Sequence, residues 1–177
     1  MRAGTLRQPI FLFEFIFIYD GLRLMVIVPD SADDRSMSLT RVLVVEDYVP
    51  FLRCVCSMLE KRSDFSIVGE ASDGLDAVQK AQELAPDVVL IDIGLPGLNG
   101  IAAARRILAL LPECKIIFLT QEYSAEIVEA ALSLGAKGYL IKSRAEGELL
   151  PAMEAVREGG QFVSAVAGQI RPAVFGV

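Results

Sequence analysis

Val88-Val-Leu-Ile-Asp92-Ile-Gly-Leu-Pro-Gly-Leu-Asn-Gly100 joins four apolar residues to a carboxylate and then to a loop of glycine, proline and asparagine. An unbroken apolar run suits a strand covered on both faces, as inside a parallel sheet. The glycines and proline beyond Asp92 punctuate the backbone and end the run. The arrangement recurs three times: Arg41-Val-Leu-Val-Val45 runs into Glu46-Asp47, Ile116-Ile-Phe-Leu119 into Thr120, and Gly138-Tyr-Leu-Ile141 into Lys142. Parallel strands would set these ends along one sheet edge. Three carboxylates, a hydroxyl and an amine would then meet in one crevice.

Amphipathic segments separate the runs. Pro50 suits the first turn of a helix that reaches about Lys61, with Phe51, Val55, Met58 and Leu59 at helical spacing. Phe65-Ser-Ile-Val68 reads as a second strand, and Asp73-Gly74 as a turn into a helix over Leu75–Leu84 that Pro86 stops. Val88–Ile91 is strand three, and Ile101 to Leu111 is helix three. Lys115–Leu119 is strand four. Ala125 to Leu134 is helix four, with Gly135 as its stop. Gly138–Ile141 is strand five, and Glu146 to Glu158 is helix five. This alternation predicts an α/β domain: a doubly wound, five-stranded parallel sheet with helices on both faces and right-handed crossovers.

The flanks read differently. In Ile10–Tyr19 the aromatic residues Phe11, Phe13, Phe15, Phe17 and Tyr19 alternate, and Asp20-Gly21 separates them from Leu22–Val28, a hairpin signal. A membrane-spanning helix needs about 20 apolar residues; Glu14, Asp20 and Arg23 interrupt this stretch, and Glu14 also breaks a secretory signal. Pro29 to Ser38 reads as a polar linker, and Met37 just before the first strand is the expected start of translation. A hairpin that binds a membrane surface or a partner is the alternative. The expected organisation is an extension over 1–38, one domain over 39–164 and a short tail or truncated linker over 165–177.

The chain has 177 residues, a formal charge of -6, three cysteines and no histidine. Its acidity opposes nucleic-acid phosphate, so direct DNA binding is not expected. Lack of histidine excludes the usual Cys/His zinc site and histidine acid–base catalysis. Cys54, Cys56 and Cys114 form no C-x-x-C pair; free thiols in a reducing cytoplasm are expected.

In an open parallel sheet, ligands bind beyond the carboxyl ends of the strands. Glu46, Asp47 and Asp92 would share that place, and like charges about 4 Å apart repel by about 4 kcal/mol at an effective dielectric of 20. Lys142 offsets one charge and a hard divalent cation the rest; Mg2+ fits because it prefers carboxylate oxygen and keeps exchangeable waters. Asp92 is the candidate nucleophile, since a carboxylate attacking phosphorus gives an acyl phosphate. Thr120 can donate to a phosphoryl oxygen. Each residue also has an ordinary role: Glu46-Asp47 as helix caps, Asp92 as a turn residue, Thr120 as a helix-entry hydroxyl, Lys142 as a solvated charge and Tyr139 as a core aromatic.

Val44-Val-Glu-Asp47, Asp92-Ile-Gly-Leu-Pro-Gly-Leu-Asn-Gly100, Thr120 and Gly135-Ala-Lys-Gly-Tyr-Leu-Ile-Lys-Ser143 together resemble the receiver domain of two-component response regulators, over about Arg41 to Ser164. The resemblance implies the flavodoxin-like strand order 2-1-3-4-5, an order for which receivers are a standard example. It implies phosphorylation of Asp92, a metal site of Glu46, Asp47, Asp92 and the Gly94 carbonyl, and phosphoryl binding by Thr120 and Lys142. Thr120 and Tyr139 are then the switch pair. It also implies a sensor histidine kinase as partner, a homodimer or partner face on helix four, strand five and helix five, and a cytoplasmic place. The chain is expected to be no enzyme beyond its own phosphotransfer and dephosphorylation. Ala155-Val-Arg-Glu-Gly-Gly-Gln-Phe-Val-Ser164 resembles the NarL/FixJ-type branch, in which a helix-turn-helix domain follows. Here Val177 comes too soon for one, so a stand-alone receiver and a truncated transcriptional regulator both stay open. Gln121 stands where many receivers carry a small residue. The competing classes are a non-phosphorylated interaction module and a small-molecule or flavin protein, the latter lacking a G-x-G-x-x-G fingerprint.

Overall fold

The computed structural model describes residues 39–121 and 124–164, which belong to one compact unit beginning at Leu39. The expected hairpin, the Met37 start and the tail from Ala165 lie outside the described residues. The strands are β1 (Thr40–Val45), β2 (Phe65–Ala71), β3 (Val88–Asp92), β4 (Lys115–Thr120), β5 (Gly138–Ile141) and β6 (Phe162–Val163). The helices are α1 (Val49–Leu59), α2 (Gly74–Leu84), α3 (Gly100–Leu110), α4 (Ala125–Ser133) and α5 (Ala145–Arg157). All strand pairs are parallel, in the order β2-β1-β3-β4-β5-β6.

Alternation along the strands explains the two covered faces. Val42, Val44, Val88, Leu90, Ile117, Leu119 and Leu140 pack with α1 and α5. Leu43, Val45, Val89, Ile91, Ile116, Phe118 and Tyr139 point the other way, to α2, α3 and α4. Both sets are fully buried, which is why the runs are apolar without interruption. The α2–α4 side is lined by small helix residues, Ala77, Ala81, Ala103, Ala104 and Ala131, so those helices lie close to the sheet.

Local signals set the helix starts. Pro50 stands in the first turn of α1. Asp73 accepts from the backbone N–H groups of Leu75 and Asp76, Asn99 from Ala102 and Ser124 from Ile127, each satisfying orphan donors of a first turn. Helix α5 runs through Pro151. Proline has no N–H, so the Gly147 carbonyl loses its donor one turn later; Gly147 is exposed and water can serve it.

The sheet departs from the expected five strands by gaining β6. Gly159, at φ 88°, lets the chain turn back after α5. Phe162 N–H then donates to the Lys137 carbonyl at 2.9 Å, and Ser164 N–H to the Tyr139 carbonyl at 2.8 Å. The outer edge of β5 would otherwise present unpaired backbone groups. Two residues are too few for a periodic signal, so the sequence pattern does not announce this strand. The second strand also runs three residues further than expected, to Ala71, because β1 and β2 stay in register up to Val45–Ala71 past an irregularity at Val42/Leu43.

Candidate phosphoacceptor site

The parallel register brings the expected residues to one end of the sheet. Asp92 is paired with Leu119 and Thr120 with Ile141, so the last residues of β3, β4 and β5 stand side by side. Glu46 and Asp47 follow β1, the neighbour of β3. Carboxylate oxygens of Glu46, Asp47 and Asp92 all lie within 4.8 Å of one another. Glu46 and Asp92 are buried, whereas Asp47 opens to solvent.

Lys142 holds the buried pair together. Its Nζ is 2.8 Å from Asp92 Oδ2, 2.9 Å from Glu46 Oε1 and 2.7 Å from Glu46 Oε2. The lysine begins a short 3-10 turn, Lys142–Arg144, just past β5. Its side chain is 10 % exposed and lies over the Phe51 ring, 5.2 Å from the centroid. A solvated strand-end charge is therefore the wrong description of Lys142. Burial lowers its pKa, but the hydrogen bonds it donates to Asp92 and Glu46 outweigh that and hold it above the ordinary lysine range. Burial raises the Glu46 pKa, and Lys142 offsets this only in part.

The remaining contacts orient the carboxylates. Gly94 N–H donates to Asp92 Oδ1 at 3.1 Å, leaving Oδ2 toward Lys142. Tyr48 N–H donates to Glu46 Oε1 at 3.2 Å. Tyr48, without a side-chain bond, is the N-cap of α1, so Glu46 and Asp47 do not cap that helix. Thr120 ends β4, and Ser124 rather than Thr120 caps α4. Tyr139 is wholly buried beside Phe118 on the α2–α4 side. It is thus a core aromatic placed three residues before Lys142. Two features escaped the sequence reading, the Glu46–Lys142 bridge and the Phe51 ring beneath it. Neither leaves a local signal, because the partners are distant along the chain.

The donor set fits a hard cation. Three carboxylates supply oxygen only, and Glu46 Oε2 is buried without an aligned hydrogen bond despite its closeness to Lys142. One ammonium against three carboxylates leaves net negative charge, which a divalent cation would neutralise.

Residues 42–154 match the response regulator receiver domain family. The chain belongs to that family. It is similar to the transcriptional regulatory protein LiaR of Bacillus subtilis (strain 168), 35 % identical over 133 residues, covering 75 % of this chain and 63 % of that protein. Protein CcdB of the same organism is 39 % identical over 118 residues, covering 67 % of this chain and 98 % of CcdB. Among solved structures, the signal receiver domain of the response regulator NarL from Mycobacterium tuberculosis superposes with a TM-score of 0.65 at 29 % identity, covering 69 % of this chain and 98 % of that one. The chain spans about three fifths of the length of the transcriptional regulators it resembles, 58 % and 63 % of the first two. The fold of the receiver family, flavodoxin-like, is the one described above, extended by β6. Among its described residues no helix is long and apolar enough to cross a membrane.

Proposed function

We propose that this receiver accepts a phosphoryl group on Asp92 from a sensor histidine kinase and signals through the face formed by α4, β5 and α5. The observation that supports this best is the Lys142 ammonium joining Asp92 to Glu46 beside Asp47. A carboxylate oxygen of Asp92 attacks phosphorus, the donor P–N bond breaks, and its electron pair leaves with the imidazole. The product is an acyl phosphate, which water later hydrolyses. Glu46, Asp47, Asp92 and the Gly94 carbonyl would hold Mg2+, which when bound neutralises phosphoryl charge. Gly94 N–H donates to Asp92 Oδ1, and Lys142 and Thr120 would meet the incoming phosphoryl oxygens. Catalysis by the chain is positioning plus charge neutralisation, with no substrate turned over beyond its own phosphoryl group.

The phosphoryl group adds about 1.5 to 2 negative charges. Lys142 then exchanges its bridge to Asp92 and Glu46 for the phosphoryl oxygens. That pull acts on β5, where Tyr139 lies, and through Ser164 N–H on the Tyr139 carbonyl it reaches the end of β6. Reversing a 1:99 population takes about 5.5 kcal/mol, within reach of a few charge-assisted hydrogen bonds. The outcome is a changed homodimer or partner contact, with β6 included in the changed face. The transcriptional regulators among the relatives favour transcription control as the final output in the cytoplasm, without DNA contact by this acidic unit.

Incubation with acetyl phosphate and Mg2+ should add the mass of one phosphoryl group, and Asp92→Asn should abolish the gain. A folded wild-type protein that gains no mass would leave only an interaction module.

A further inference from the structure

We infer that Gly74, the first residue of α2, is a positioning residue for the Asp92 carboxylate, acting through the loop 93–99. The chemical consequence rests on the phosphoacceptor reading of Asp92; the geometry does not. The loop leaves β3 and is closed at its base by Gly100 N–H donating to the Ile93 carbonyl at 3.1 Å. Its second residue, Gly94, donates to Asp92 Oδ1. The loop therefore sets which way the carboxylate faces, and so which oxygen Lys142 meets.

Two backbones grip this loop. A Cβ on Gly100 would stand 1.9 Å from the Asp92 carbonyl oxygen, and one on Gly74 would stand 2.0 Å from the Leu98 carbonyl oxygen and 2.9 Å from its carbon. Backbone cannot rotate aside as a side-chain end can. Real Cβ contacts stay beyond 3.0 Å, so a methyl at position 74 drives Leu98 back by about 1 Å. Helix α2 does not yield: Asp73 caps it, and Ala77 and Ala81 are wholly buried. The loop has room to move on one side, where a Cβ on Gly97 would meet nothing within 4 Å. With its base pinned, the displacement passes to Gly94 and the bond that orients Asp92. A misplacement of about 1 Å away from the chemistry can lower a rate about a hundredfold.

The test compares Gly74→Ala with Gly69→Ala. The second makes the same chemical change nearby, but its Cβ meets only the side-chain ends of Leu84 and Leu43. In the Mg2+-free protein, the Gly94 amide proton resonance should shift in Gly74→Ala and stay in place in Gly69→Ala. With saturating acetyl phosphate and Mg2+, phosphorylation should slow at least about tenfold in Gly74→Ala alone, and Mg2+ should bind more weakly by calorimetry. Should Gly74→Ala not fold, Gly97→Ala decides: it strains the same loop at φ +68 without touching α2, and it should shift the same amide. An unmoved Gly94 resonance in the folded variant used, or equal slowing in Gly69→Ala, overturns the inference. Failure of wild type to take up phosphate would instead overturn the reading of Asp92, leaving the amide comparison intact.

Discussion

The Lys142 ammonium sits 2.8 Å from Asp92 Oδ2, so the residue proposed to accept phosphate is already paired with the cation proposed to stabilise it. The same ammonium contacts both oxygens of Glu46. Two buried carboxylates thus depend on one positive charge.

Lys142→Met should therefore lower stability at pH 7 by about 3 kcal/mol in Mg2+-free buffer, the usual cost of stranding a buried charge. The loss should shrink toward pH 4 as the Glu46 carboxyl takes up a proton. Burial has already raised the Glu46 pKa, and a group with a raised folded pKa favours the folded state most below its unfolded value. Urea unfolding of both proteins at the two pH values checks this; an equal difference at both would defeat it.

A second cluster lies at the opposite end of the strands. Arg62 Nη2 is 3.0 Å and Arg157 Nη1 2.7 Å from Asp64 Oδ2, and Arg62 Nη1 is 2.6 Å from Glu154. Burial works to raise the Asp64 pKa, but Arg62 and then Arg157 outweigh it and hold it below the ordinary aspartate range. A depressed carboxylate stabilises above its unfolded pKa, about 3.9, and that contribution disappears as pH falls through the lower folded value. Asp64→Asn should lower the urea midpoint from neutral pH down to about pH 5 and converge with wild type once pH has fallen through the lowered Asp64 value. The difference should also diminish in 1 M salt, since these groups are partly exposed. A gap independent of pH would count against the cluster.

Thiol reactivity should separate the three cysteines. Cys54 is exposed, whereas Cys56 and Cys114 are buried. Burial, with help from Glu70, pushes the Cys56 thiol up to about 11; burial, with help from Asp87, pushes Cys114 to about 12. Thiolate is the reactive form, so an aromatic disulfide reagent at pH 7.5 should titrate one equivalent rapidly in native protein and three in denaturant. Two fast native equivalents would refute the burial of Cys56 or of Cys114.

Ser164 latches the sixth strand. Its hydroxyl donates to Glu148 and accepts from Ile141 N–H at 3.1 Å. Ser164→Ala removes two partly buried hydrogen bonds and should cost about 1 to 2 kcal/mol. Amide exchange should accelerate at Ile141 and Ser164 while Val89 to Ile91 stay protected. Unchanged exchange at Ile141 would show that β6 does not brace β5.

Much of the fold was legible because its signals are local. Unbroken apolar runs such as Val88–Ile91 announce buried parallel strands, and Pro50 and Asp73-Gly74 mark helix starts within a few residues. The two-residue β6 carries no period and exists only because Gly159 and Gly160 return the chain to an edge that needs covering. At the site, residue types were legible and pairings were not. Glu46-Asp47 reads equally well as a helix cap, and only the position of Tyr48 excludes that. Asp73-Gly74 reads as a turn; that Gly74 also abuts the Leu98 carbonyl depends on how α2 packs beside the loop.

The sequence by itself determined the alternating strands and helices and put an acid, hydroxyl or amine after four of the strands, because hydrophobic periodicity and capping act between near neighbours. Only the tertiary structure decided that one ammonium spans Glu46 and Asp92, that Phe51 lies beneath it, and that β5 has a covered edge. Those relations join residues far apart along the chain, and they are set by sheet register and by the burial of charge, which no short stretch of sequence contains.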